Sequence, residues 1–138
     1  MTEVTINWLA ILYAVIAAMV IGMVWYGVLA EPWLKAVGKK KDDLKDGQTT
    51  GYVLSVITAL VTAYILTHFV TYMGVAFPDM TGSSLGASTA FWAWLGFVAP
   101  ISAMNTAWEG RSWHLWLINN GNHLVTLLAM GMIIASMM

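Results

Sequence analysis

Charged positions divide the chain into four long apolar windows, residues 5–30, 48–78, 80–108 and 112–138, and no Asp, Glu, Lys or Arg falls inside any of them. Each window exceeds the roughly 20 residues with which an α-helix crosses about 30 Å of hydrocarbon. None alternates with the period of two that a membrane β-barrel strand requires. The pattern therefore predicts an all-α fold, an integral membrane four-transmembrane-helix bundle occupying residues 1–138 as one domain. Its spans are expected at about 6–29, 51–75, 85–107 and 113–136, with a cytoplasmic interfacial segment over 31–49.

Composition supports the same reading. The chain is 59% hydrophobic and 9% charged, with a mean hydropathy of +0.73, which is too few charges to solvate the surface of a soluble domain. With six basic residues against seven acidic ones there is no cationic stripe, so nucleic acid is excluded as a partner. The absence of cysteine removes disulfides, thiolate ligands and a cysteine nucleophile. The first apolar run follows Glu3 rather than basic residues and is longer than the core of a signal peptide, so it is expected to remain as a span.

Orientation follows from the basic residues. Lys35, Lys39, Lys40, Lys41 and Lys45 follow the first window, Arg111 follows the third, and the other connection and both ends have none. The positive-inside tendency then puts these two loops in the cytoplasm and both termini on the non-cytoplasmic side. Trp8, Trp25, Tyr26, Trp33, Trp108, Trp113 and Trp116 fall near window edges, as aromatic interfacial anchors do. Pro32 to Gly38 has the Pro-first, Gly-last order of a short helix, and Trp33, Leu34 and Val37 share one face of it, predicting a helix at the interface. The mixed charges of 39–46 read as a solvated loop.

Helices in lipid associate through close packing of small residues and interhelical hydrogen bonds. A ladder of Ala10, Ala14, Ala18 and Gly22 lies on one face of the first span, and Ala99, Ala103 and Ala107 repeat the device in the third. Both are expected to pack within the chain, with a dimer seam as the alternative. Pro100 predicts a bend inside the third span.

The main polar feature is the start of the fourth span. Asn119, Asn122, His123 and Thr126 share one helix face, and Ser102, Asn105, Thr106 and Glu109 have the same spacing on the third span. With a short turn between them, the two stripes are expected to meet. Asn105, Glu109, Arg111, Asn119, Asn122, His123 and Thr126 thus form a polar cluster with two readings: interhelical glue, in which the amides bond across the hairpin and which is the favoured account, or a polar pocket opening to the cytoplasm. His68, His114 and His123 differ in depth and give no metal site. No nucleophile stands beside an oriented base, and no phosphate loop or other cofactor motif is present.

Asn7-Trp8-Leu9-Ala10, Trp25-Tyr26-Gly27, Pro32-Trp33-Leu34-Lys35-Ala36, Gly96-Phe97-Val98-Ala99-Pro100, Glu109-Gly110-Arg111-Ser112-Trp113 and Ile118-Asn119 with His123-Leu124-Val125 occur in an order that resembles domain-of-unknown-function family 1761. These are small membrane proteins found chiefly in bacteria. The resemblance spans nearly the whole chain, and Glu-Gly-Arg-Ser-Trp is its most specific part. It implies a four-helix membrane fold and no assigned activity. A Gly-Tyr-His run of that family stands here as Gly121-Asn122-His123, so no aromatic hydroxyl is available at position 122. The expected role is a non-enzymatic accessory or scaffold subunit in a cell membrane, the inner membrane if the source is bacterial. Its partners would be the bilayer and other membrane subunits or itself. The alternatives are an oligomeric carrier of small solutes or ions, and an intramembrane binder of lipid, quinone or pigment. No catalytic residue, cofactor or metal ligand is assigned.

Overall fold

The structure, a computed structural model, describes residues 2–138. They form six α-helices: α1 (Trp8–Val28), α2 (Ala30–Val37), α3 (Gln48–Ala76), α4 (Gly82–Ala93), α5 (Ala99–Glu109) and α6 (Trp113–Ser136). Four helical stretches are long and apolar enough to cross a membrane: α1, α3, the continuous α4–α5 run Gly82–Glu109, and α6. A chain in hydrocarbon has no water to satisfy its peptide groups, so each uncharged window closes its hydrogen bonds within itself as a helix.

Local chemistry sets the helix ends. Asn7 caps α1, its side-chain oxygen accepting from the amides of Leu9 at 3.1 Å and Ala10 at 3.2 Å, an arrangement that satisfies two otherwise free donors. The same side chain donates through Nδ2 to the carbonyl of Met137 at 3.0 Å. The first and last helices therefore meet at one end of the bundle. At the other end α2 folds back after Leu29 and stops at Gly38, whose φ of 76° lies in the left-handed region open to glycine. A short 3₁₀ turn, Lys41–Leu44, then leads to α3. The 29 residues of α3 extend about 43 Å, more than the roughly 30 Å of hydrocarbon, so this helix must tilt or reach past the interface.

The bend expected at Pro100 takes the form of a π-helical turn over Trp94–Val98, in which the Ala99 amide bonds the Trp94 carbonyl five residues back. Proline has no amide hydrogen and its ring collides with the carbonyl four residues earlier. The extra residue in the turn moves that carbonyl aside.

Helix α6 is the hub, packed most extensively against α4 and then against α1. Packing is dense at the end where the termini meet, where Ile11, Ala14, Val15, Leu66, Val70, Leu85, Met130 and Ile134 form the core. It is open at the other end, where residues 48–58 of α3 are exposed along their whole length.

The small-residue ladders account for part of this packing. Ala10 and Ala14 are fully buried, whereas Ala18 and Gly22 line an open groove. Of the α5 ladder Ala99 is buried, Ala103 is half-buried and Ala107 is exposed. That half of the third span lies on the rim of the bundle and has no helix against its outer face. A close backbone approach joins two residues outside both ladders, Gly86 of α4 and Gly131 of α6, where an added methyl group on either would overlap the carbonyl of the other. The sequence spacing Gly82-Gly86-Ala90 against Gly131-Ala135 carries that signal, since small residues four apart let backbones touch.

Candidate binding groove

The polar turn of α6 presents two different flanks, because successive residues point about 100° apart around a helix. On one flank Asn119 Oδ1 accepts from the Tyr26 hydroxyl at 2.9 Å and from the Trp33 indole at 3.2 Å, fastening α2 and the end of α1 to α6. The Trp25 indole donates to the Ile118 carbonyl at 2.9 Å. Its ring lies so close to Gly121 that a Cβ there would sit 2.9 Å from Cζ2. A glycine at 121 thus makes room for the indole.

On the other flank Asn120, only 3% exposed, joins α6 to the α4–α5 span. Its Nδ2 donates to the Trp116 carbonyl at 3.0 Å, and its Oδ1 accepts from Ser102 Oγ at 2.8 Å. The single proton of that hydroxyl is shared with the carbonyls of Val98 at 2.8 Å and Ala99 at 3.1 Å. Ser102 in turn accepts from the Trp116 indole at 3.0 Å, and Trp94 donates to the Asn120 carbonyl at 3.1 Å. Three indoles from other helices, Trp25, Trp33 and Trp94, therefore donate to one turn of α6, and the helix's own Trp116 donates outward to α5. Interhelical bonds of this kind contribute about 0.6 kcal/mol each on average in a membrane protein.

A third face of α6 has no such partners. Asn122, His123 and Thr126 line a groove of about 970 Å³ between α1, α3 and α6. Its α3 wall carries Tyr52, Ser55, Thr58 and Thr62, and its α1 wall Ala18, Met19, Gly22 and Met23. Leu127 and Met130 complete the α6 wall, and no Lys, Arg, Asp or Glu lines the groove. On the α3 side Ser55 and Thr58 return their hydroxyls to the carbonyls of Gly51 at 2.8 Å and Ser55 at 3.1 Å. On α6 the Asn122 Nδ2 and Thr126 Oγ1 atoms are buried and have no hydrogen-bond partner among the described residues. The contrast with Thr67, Thr71, Thr89 and Thr106 is informative, because each of these bonds the carbonyl one turn back at 2.8 or 2.9 Å. That is the ordinary local solution for a hydroxyl on a helix.

The structure distributes the polar cluster expected from sequence over several surroundings. Asn119 is tied to α1 and α2, while Asn122, His123 and Thr126 face the groove. Glu109 and Arg111 pair across the α5–α6 turn at 2.7 Å, both substantially exposed, a setting in which an ion pair contributes at most about 1 kcal/mol. Asn105 does not join them: it is exposed on the rim helix α5. The stripe of α6 that Asn105 was expected to meet turns instead toward α1, α2 and α3. Ser102 of the expected third-span stripe does meet α6, but its partner there is Asn120, one position round from the expected α6 stripe, with Trp94 and Trp116 bonded beside them. Their signal in the sequence is the Trp116-Asn120 pair at i, i+4. Among the expected anchors, Trp8, Trp108 and Trp113 are exposed at 66%, 87% and 54%. Trp25, Tyr26, Trp33 and Trp116 instead donate hydrogen bonds within the bundle.

These features define a class, the small four-helix membrane bundle. A family model described as "Protein of unknown function (DUF1761)" matches residues 9–135, nearly the whole chain, and the protein belongs to that family. No curated protein and no solved structure matches it.

Proposed function

We propose that the protein is a non-enzymatic accessory component of the cell membrane that works by binding in the groove between α1, α3 and α6, with its basic loops in the cytoplasm. The observation that supports this reading most is Asn122. Its amide nitrogen is unpartnered, its residue is 7% exposed, and it stands about 14 Å along a helix of roughly 36 Å at 1.5 Å per residue. An unsatisfied buried donor costs about 1–3 kcal/mol, and near the middle of a bilayer there is little water to relieve it. Elsewhere on α6 the Asn119 oxygen and both ends of the Asn120 amide are used; here the buried nitrogen is left unpaired beside the groove.

A carrier is less well supported. Met130, at the inner end of the groove, belongs to the core with Ile11, Ala14 and Val70, so the groove ends against close packing and gives access from one end of the bundle.

The reading is tested by placing a photoactivatable diazirine amino acid at position 62, inside the groove, or at position 61, which is 58% exposed on the outer face of α3. After irradiation in native membranes, position 62 should give a specific adduct, whether a small lipophile or a protein, that position 61 does not. Identical labelling of bulk phospholipid from both positions would refute the reading.

A further inference from the structure

We propose that a second site, at the loop end of the bundle, binds the zwitterionic head of an ethanolamine-type phospholipid, with its ammonium in the corner between Tyr26 and Trp33 beside Glu31 and its phosphate toward Lys41. Tyr26 and Gly27 also line the groove described above. The remaining walls differ, and the site is independent of the binding role proposed for that groove.

One oxygen atom builds the corner. Asn119 Oδ1 accepts from the Tyr26 hydroxyl at 2.9 Å and from the Trp33 indole at 3.2 Å, so the polar edges of the two rings converge and both rings are held in place. Their planes stand at 77° with centroids 6.1 Å apart. Both rings line a cavity of about 970 Å³ between the end of α1, α2 and the 3₁₀ turn, and Asn119 lies in the same lining. Since the hydroxyl and indole protons are already given to Asn119, the rings offer the cavity π surface rather than hydrogen-bond donors. The face of an aromatic ring is negative, and two such faces near a right angle favour a cation.

The charges around the corner carry both signs. Glu31 and Lys41 line this cavity, and the ion pairs among the described residues, Lys45 with Asp42 at 3.3 Å and Arg111 with Glu109 at 2.7 Å, include neither of them. Unlike charges that share a cavity without pairing are complementary to a guest that carries both. A wholly anionic head would meet Glu31 and a wholly cationic one Lys41. A primary ammonium donates charge-assisted hydrogen bonds to a carboxylate, which a quaternary one cannot, and a lysine serves a phosphate as a point charge. The position along the chain suits a lipid head as well. Helix α1 ends at Val28 and the charged residues begin just beyond it, at the boundary where headgroups lie. Val28, Leu34 and Leu44 in the same lining supply apolar surface for the first part of the acyl chains.

The test titrates the whole protein in dodecyl maltoside with dioleoyl phosphatidylethanolamine or dioleoyl phosphatidylglycerol and counts bound lipid by native mass spectrometry. The first ethanolamine lipid should bind about tenfold tighter than the glycerol lipid. Glu31→Gln and Lys41→Gln, both at exposed positions, should each weaken it by about three- to tenfold and leave the thermal midpoint unchanged. Lys45→Gln, whose side chain pairs with Asp42, should not alter binding. Trp33→Leu should weaken binding about tenfold through loss of a π face. Tyr26→Phe gives up its bond to Asn119 but keeps its ring, and should retain most of the binding. Glycerophosphoethanolamine, the same head without chains, should bind at least about a hundredfold more weakly. Equal binding of the two lipids, or wild-type binding by Glu31→Gln and Lys41→Gln, would overturn the proposal. A loss in Tyr26→Phe equal to that in Trp33→Leu would overturn the role of the rings, and equal affinity for glycerophosphoethanolamine would assign the site to a soluble ester instead of a lipid.

Discussion

Ser102 Oγ and Asn120 Oδ1 lie 2.8 Å apart and join α5 to α6 within the membrane-spanning bundle. The bond is supported on both sides, by the Trp116 indole on Ser102 and by the Asn120 amide on the Trp116 carbonyl. Asn120→Leu removes one partner from a network that keeps its others, so destabilisation of about 1 kcal/mol is expected. Ser102→Ala combined with Asn120→Leu should cost less than the sum of the two single changes, because the shared bond is lost once. Unfolding titrations of the three variants measure this, and strict additivity would count against the bond.

Asn122→Leu should behave in the opposite way. Its nitrogen is buried without a partner, so an apolar side chain of similar size removes a desolvation cost and no bond. The thermal midpoint in detergent should stay level or rise. A fall comparable to that of Asn120→Leu would show that Asn122 holds the fold together.

The glycines give a second paired contrast. A methyl group at Gly86 or Gly131 overlaps the facing backbone, whereas a methyl at Gly22 meets nothing within 4 Å. Gly86→Ala or Gly131→Ala should destabilise by about 1–3 kcal/mol or more through overpacking. Gly22→Ala should be neutral or slightly stabilising, since it removes glycine from a helix interior. Unfolding midpoints of the purified variants decide between these signs.

Topology is tested by cysteine labelling. The bond from Asn7 to Met137 already places the two ends of the chain together, so only the side of the membrane is at issue. On the orientation proposed from the basic residues of the 35–45 loop and Arg111, that opposite end faces the cytoplasm. A membrane-impermeant reagent added outside cells should modify a cysteine at position 3 and spare one at position 40. The reverse pattern would invert the orientation.

Much of the fold was legible in the sequence because the bilayer imposes it: absent charges over residues 5–30 or 112–138 leave few structures other than a spanning helix. The partners of α6 were less legible. A helical wheel places Asn119, Asn122 and Thr126 on one face but does not say which neighbouring helices that face meets, and they are α1 and α2 at Asn119 and α1 and α3 at Asn122 and Thr126, rather than α5. The π-helical turn before Pro100 adds a residue and so rotates α5, and with it Asn105, relative to the register of an unbroken helix. The tryptophans were hidden for a related reason. An indole near a span end reads as an interfacial anchor, and only the fold shows that Trp25, Trp33 and Trp116 donate inward. The groove itself arises from the way α3 leaves the bundle over residues 48–58, a tertiary property that local pattern does not carry.

The binding role of the groove is tested most directly by what remains with the protein when it is taken from its native membrane in polymer nanodiscs. Solvent extracts of wild type and Asn122→Leu, compared by mass spectrometry against bulk lipid, should differ by one molecule that is enriched over bulk lipid, approaches one per chain in the wild type and is depleted in the variant. Extracts of the same composition as bulk lipid in both proteins would contradict the account.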